Sequence, residues 1–165
     1  MIEGIIKFHG FRLEKLNYEH KQIGPDERNL NISISPEFLV QLVEQEPKTS
    51  REEDENYFNI LIGTRIGFDE EERVPFMTEV VLRGFYSFNS KNDNKDNFGF
   101  DDRRRFFLTN GCAVLFPYLR SVLTDVTSKS NHNPIILPTI NFHQFIESQD
   151  INELILNSEQ YADKD

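Results

Sequence analysis

Two long stretches of strict alternation decide what this chain can fold into. Phe58, Ile60, Ile62, Thr64, Ile66 and Phe68 fall on one side of an extended backbone, and Asn59, Gly63, Arg65 and Gly67 fall on the other, because successive strand side chains point to opposite faces. After a charged hairpin connection at 69–73, Phe76, Thr78, Val80, Leu82, Gly84, Tyr86 and Phe88 alternate in the same way with Met77, Glu79, Val81, Arg83, Phe85 and Ser87. Two adjacent strands of this length with one largely apolar face imply an antiparallel sheet covered by helices on that side. Met77 and Glu79 then project from the opposite, solvent side.

The N-terminal region reads as further sheet. Residues 5–18 form a strand in which Ile6 and Phe8, then Phe11 and Leu13, then Leu16 and Tyr18 share a face. The phase slips twice, once near Gly10, which predicts a bulge or a strong bend. Gly24, Pro25 and Asp26 punctuate a turn at 23–29. Leu30, Ile32 and Ile34 then alternate with Asn31, Ser33 and Ser35 as a second strand up to Pro36, and 38–43 fits a strand or one helical turn equally well. The acid-rich segment 46–56 and the polar insertion 90–100 are loops of low hydrophobicity.

The C-terminal half changes period. Asp101 or Asp102 caps a short helix that ends at Asn110 and Gly111. Leu115, Leu119, Val122 and Val126 recur at helical spacing with Tyr118 beside them, while Arg120, Ser121, Thr124, Asp125 and Ser128 fall largely opposite. Proline is tolerated in a first helical turn, so Pro117 places the start of this second helix near 116 and its end near 129. Pro134 and Pro138 then bracket Ile135, Ile136 and Leu137 in a stiff connector that cannot be helical. Thr139 or Asn141 caps a last short helix carrying Phe142, Phe145 and Ile146. Ile151, Leu154 and Ile155 keep helical spacing, as in a frayed helix, before the tail turns acidic.

Composition narrows function by exclusion. A formal net charge of −10 over 165 residues argues against nucleic acid as a partner. The one basic run, Arg103 to Arg105, follows Asp101 and Asp102 and reads as a solvated face with local ion pairs. The single cysteine, Cys112, sits among apolar neighbours as a buried thiol. His9, His20, His132 and His143 lie in separate elements without ligand spacing, and no phosphate loop follows a strand. No catalytic group, metal or cofactor is expected. No signal peptide or membrane span is legible, which makes the cytoplasm the expected compartment. Fifteen phenylalanines without a tryptophan, by contrast, exceed what one small sheet needs for cover: most buried rings in a domain are core, and the excess leaves some for a binding surface.

The runs LFPYLR and, after a polar gap, PIILPTINFHQF resemble the SecB family of export chaperones, whose pattern there is LFPYAR, a glycine-containing gap, then P-x-L-x-L-x-P-x-NF and an aromatic. FMTEVVLRGFYSF similarly resembles that family's fourth strand, with Phe76, Met77, Glu79, Val80, Gly84 and Phe85 in the matching places. Cys112, Ala113 and Val114 replace the usual residues before the first run, and His132, Asn133 and Pro134 replace a Gly-Gly-Phe-Pro-like turn, as in a divergent member.

The resemblance implies an α+β fold: a four-stranded antiparallel sheet, with 38–43 as a strand and two C-terminal helices packed on one face. It implies one domain over 1–149 with an acidic tail at 150–165, assembled as a dimer of dimers. It also implies a holdase whose groove for non-native polypeptides is lined by Phe76, Phe116, Tyr118, Ile135, Leu137, Phe142 and Phe145. The clients would be unfolded preproteins passed to SecA or, in relatives beside toxin and antitoxin pairs, an antitoxin. An acidic sheet face built from Met77, Glu79, Glu14 and Glu19 would dock SecA, with Lys15 and Arg83 as cationic interruptions of it.

Overall fold

The computed structural model describes residues 6–21, 31–44, 55–89, 99–130 and 132–157. The expected turn at 23–29, the acidic loop at 46–54, most of the 90–100 insertion and the tail beyond 157 lie outside the described residues.

Strands β1 (Ile6–His20), β2 (Glu37–Glu44), β3 (Glu55–Ile66), β4 (Phe76–Asn89) and β5 (Ile155–Asn157) form one sheet in the order β1-β4-β3-β2-β5. Helices α1 (Phe100–Ser128) and α2 (Phe142–Glu147) follow the antiparallel strands and pack on one face of the sheet. The α+β class and the one-sided helical cover agree with expectation. The sheet itself has five strands rather than four and is mixed, because β5 runs parallel to β2 through Leu42 and Ile155.

Alternation worked as physics requires. Ile60 and Ile62 on β3 pair with Gly84 and Leu82 on β4, and Leu42 and Val40 on β2 pair with the same two isoleucines. All the side chains in this block are buried under α1. The two phase slips in β1 are register shifts, between Phe8 and Gly10 and between Leu13 and Lys15. They return Phe11, Leu13 and Leu16 to the helix-bearing face, opposite Gly84, Leu82 and Val80.

Four local readings need correction. Of the strand expected around Leu30 to Ser35, the described residues 31–35 keep a single bridge, between Ser33 and Arg73, and β2 starts only after Pro36. The two helices expected at 101–110 and 116–129 are one continuous α1, with Gly99 as the N-cap and Pro117 inside it. Gly111 is no stop signal: a Cβ there would lie 2.1 Å from Ile60 Cδ1, so its lack of a side chain lets helix and sheet approach. The Tyr86 hydroxyl also donates to the Gly111 carbonyl at 2.7 Å. Pro117 is exposed, on the flank where a helix carbonyl freed by the missing N–H can meet water. Lastly, Ile151 and Leu154 are buried residues of a 3-10 helix (Ile151–Leu154) that leads into β5, not part of a frayed α-helix.

The buried stripe of α1 is Leu108, Cys112, Leu115, Phe116, Leu119 and Leu123. Val122 and Val126, expected in the core, are half-buried at its flank. By length and composition α1 is apolar enough to cross a membrane, yet this stripe is spent on the sheet. The basic run is structural: Arg104 is bidentate to Glu44 at 2.7 and 2.8 Å, and Arg105 Nη1 donates to the Ile146 carbonyl at the end of α2.

Candidate functional site

The connector at 133–141 crosses the helical layer between α1 and α2. Its inward residues, Ile135 and Leu137, are buried in the main core, while Ile136 between them is 63% exposed. This is the alternation of an extended segment, which Pro134 and Pro138 enforce. Asn141 is the cap of α2: its side chain accepts from the Gln144 N–H at 3.2 Å.

Two threonines of α1 fasten the connector. Thr127 Oγ1 accepts from the Ile135 N–H at 2.9 Å and donates to the Leu123 carbonyl at 2.9 Å. Thr124 Oγ1 donates to the Ile135 carbonyl at 3.0 Å. The sequence pattern assigns Thr124 to the polar side of the helix and gives Thr127 no role; only the fold of the connector back along α1 brings them into use. Where the connector leaves α1, Tyr18 shares a hydrogen bond with Ser130, and the His132 ring stacks on Phe76 at 5.1 Å.

The seven residues expected in one groove separate into groups. Phe116 and Phe142 meet edge to face at 5.2 Å, and Phe38 of β2, which sequence reasoning did not select, approaches Phe116 at 6.4 Å. Ile135, Leu137 and half-buried Phe145 belong to the same core cluster. Phe76 is fully buried at the start of β4, between Tyr18 and His132. Tyr118 is exposed and turns to β1, where it stacks with Phe11 at 4.5 Å and Phe8 at 5.9 Å. Residues two apart on a helix do not face each other, so Phe116 and Tyr118 point to opposite flanks of α1.

The helix-free face of the sheet carries Met77, Glu79, Glu14 and Glu19. The first three are half-buried and Glu19, opposite Met77, is exposed. Glu79 pairs with Lys15 at 2.9 Å, and Glu14 with both Arg12 at 2.9 Å and Arg83 at 3.0 Å. Arg83 is only 4% exposed although it stands on this face. Nearby, Glu37, Leu39, Arg65, Glu79 and Val81 surround a shallow depression of about 290 Å³ over Gly63.

Nucleophile chemistry finds little support in the helical layer. Cys112 is fully buried and burial pushes its thiol pKa up, so the thiolate is suppressed. Burial likewise raises the Tyr86 phenol. Among the described residues, no group of three or more metal-ligating side chains gathers.

Comparison with known proteins now adds to this geometry. Residues 26–153 match the family described as SecB, preprotein translocase subunit SecB. The protein-export protein SecB of Ehrlichia chaffeensis is 26% identical over 129 residues, covering 76% of this chain and 73% of that one. An uncharacterised protein of Methanocaldococcus jannaschii is 22% identical over 137 residues, covering 82% and 79%. Among solved structures, the SecB-like chaperone of Mycobacterium tuberculosis, in complex with a peptide from the HigA1 antitoxin, superposes with a TM-score of 0.56 at 16% identity, over 82% of this chain and 90% of that one.

Proposed function

Because this chain belongs to the SecB family, we propose that it is a molecular chaperone of the holdase kind, binding extended non-native polypeptide beside the proline-braced connector. The observation that carries the reading is the contact of Phe116 with both Phe38 and Phe142, in the core cluster that also takes in Ile135 and Leu137 of the connector. A holdase has to accept many sequences, so it needs broad apolar contact rather than a few exact polar ones, and large rings on a rigid segment provide it at low ordering cost. Half-buried Phe145 and exposed Ile136 are the parts of this region that a client meets first.

The test separates lining from core. Phe145→Ser is expected to weaken binding of a permanently unfolded, reduced and carboxymethylated polypeptide by about tenfold with little change in melting temperature. Phe142→Ser, at a 6% exposed position, is expected instead to cost about 3 to 5 kcal/mol of stability. A Phe145→Ser protein that melts lower but grips the client as before sinks the groove assignment.

A dedicated client, such as an antitoxin, is favoured over general export by the sheet's helix-free face. There the carboxylates of Glu79 and Glu14 are clasped by Lys15, Arg12 and Arg83, which leaves little unbalanced negative charge to steer a basic docking partner. SecA affinity, measured by titration at low salt, is expected to be weak or absent and to rise in Lys15→Asp. Tight binding by the unmodified protein, lost in Glu79→Lys, restores the plain export reading. Assembly into a homo-oligomer belongs to the same proposal and rests on β1, which ends the sheet with one side unpaired among the described strands.

A further inference from the structure

Two rings assigned to the client groove, Phe116 and Phe142, share one core cluster with Ile135 and Leu137 of the connector strap. Leu137 has no exposed surface, and Phe116, Phe142 and Ile135 have little. An extended client that touches them has to lift this strap. Both backbone groups of a single strap residue, Ile135, are taken by α1 side chains: its N–H by Thr127 and its carbonyl by Thr124. Thr127 is fully buried, so in the closed state no water competes for its hydroxyl. Beyond Ile135 the strap has little else polar to hold it. Residues 136–140 make no backbone-to-backbone hydrogen bond among the described residues, and Pro138 has no N–H to offer.

Resting on the holdase reading, we propose that Thr124 and Thr127 are positioning residues that latch the connector over the aromatic groove and so set how readily a client gains access. Opening breaks two hydrogen bonds at one residue and exposes the apolar side chains of Ile135 and Leu137 together, which makes it a discrete step rather than a gradual loosening. Client affinity scales with the fraction of molecules whose strap is open. Weakening the latch therefore raises apparent affinity and speeds association, the reverse of what damage to a binding surface does.

Thr127→Val keeps the shape but can neither accept from Ile135 nor donate to Leu123, and Thr127→Ser keeps the hydroxyl. In Thr127→Val, the Ile135 amide is expected to exchange with deuterium roughly tenfold faster, with the Ile62 amide in the sheet unchanged, and Thr127→Ser is expected to restore protection. The reduced, carboxymethylated polypeptide is expected to associate several-fold faster with Thr127→Val than with the unmodified protein or Thr127→Ser. If Thr127→Val does not fold, Thr124→Val, which loses only the bond to the Ile135 carbonyl, carries the same comparison. Unchanged exchange at Ile135, or faster exchange with client association unchanged or slower, overturns the latch while leaving the holdase intact. An unmodified protein that binds no unfolded polypeptide overturns the holdase reading, and with it the latch as a control of access.

Discussion

Replacing Gly67 by alanine is expected to destabilise the chain by about 3 kcal/mol or more, a large share of the roughly 5 to 15 kcal/mol that holds a domain together. Gly67 adopts φ 88°, which L side chains rarely occupy. A Cβ there would lie 2.0 Å from the Phe76 carbonyl oxygen, a backbone atom that cannot turn aside. The corner is also where three elements are tied. The Glu72 carboxylate accepts from the Gly67 N–H at 3.1 Å and the Ser35 N–H at 3.0 Å, while Lys21 donates to the Gly67 carbonyl at 2.6 Å. Moving Gly67 to relieve the clash breaks these contacts and displaces the start of β4, where Phe76 carries His132 and the root of the connector. Urea denaturation followed by circular dichroism measures the loss, and a change below about 1 kcal/mol would contradict this account of the corner.

How much of this was legible beforehand follows from the range of the forces involved. The sheet was legible because alternation is local: each β3 and β4 residue reports its own face, and even the slips of β1 show in the order of its apolar residues. The unity of α1 was not, since Gly111 and Pro117 are breakers by local rule. What overrides the rule at Gly111 is the side chain of Ile60 and the hydroxyl of Tyr86, both distant in sequence. β5 is only three residues long and parallel to β2, too short to print a period on the sequence. For the site, the motif put seven residues into one lining, but grouping Tyr118 with Phe116 ignored the angle between positions two apart on a helix. Phe38 was hidden in a segment whose secondary structure the pattern left open. The latch threonines had no signal at all, because a hydroxyl that holds a backbone group across a chain reversal resembles any surface threonine until the reversal is known.

The substitution Leu13→Glu is expected to dissociate the proposed homo-oligomer while leaving the subunit folded. Leu13 is 46% exposed on the helix-bearing face of β1, flanked by exposed Phe11 and Leu16. Exposed Val114 and Tyr118 face outward from α1, and the ring of Tyr118 joins the two elements through Phe11. An apolar patch of this kind beside a 15-residue edge strand invites a second copy. The side chain is already half in water, so a carboxylate costs the lone subunit little. In a two-fold assembly each copy would bury one unpaired carboxylate, and a penalty of a few kcal/mol corresponds to association weakened by about a hundredfold or more. Light scattering at micromolar concentration is expected to give at least twice the 19.4 kDa chain mass for the unmodified protein and a value near one chain for Leu13→Glu. A monomeric unmodified protein rules the assembly out. Loss of assembly has a functional reading as well: with two grooves on one particle, an extended client released from one connector is recaptured by the other at high effective concentration. Leu13→Glu should therefore leave the affinity for a short peptide unchanged and shorten the residence time of a long unfolded chain.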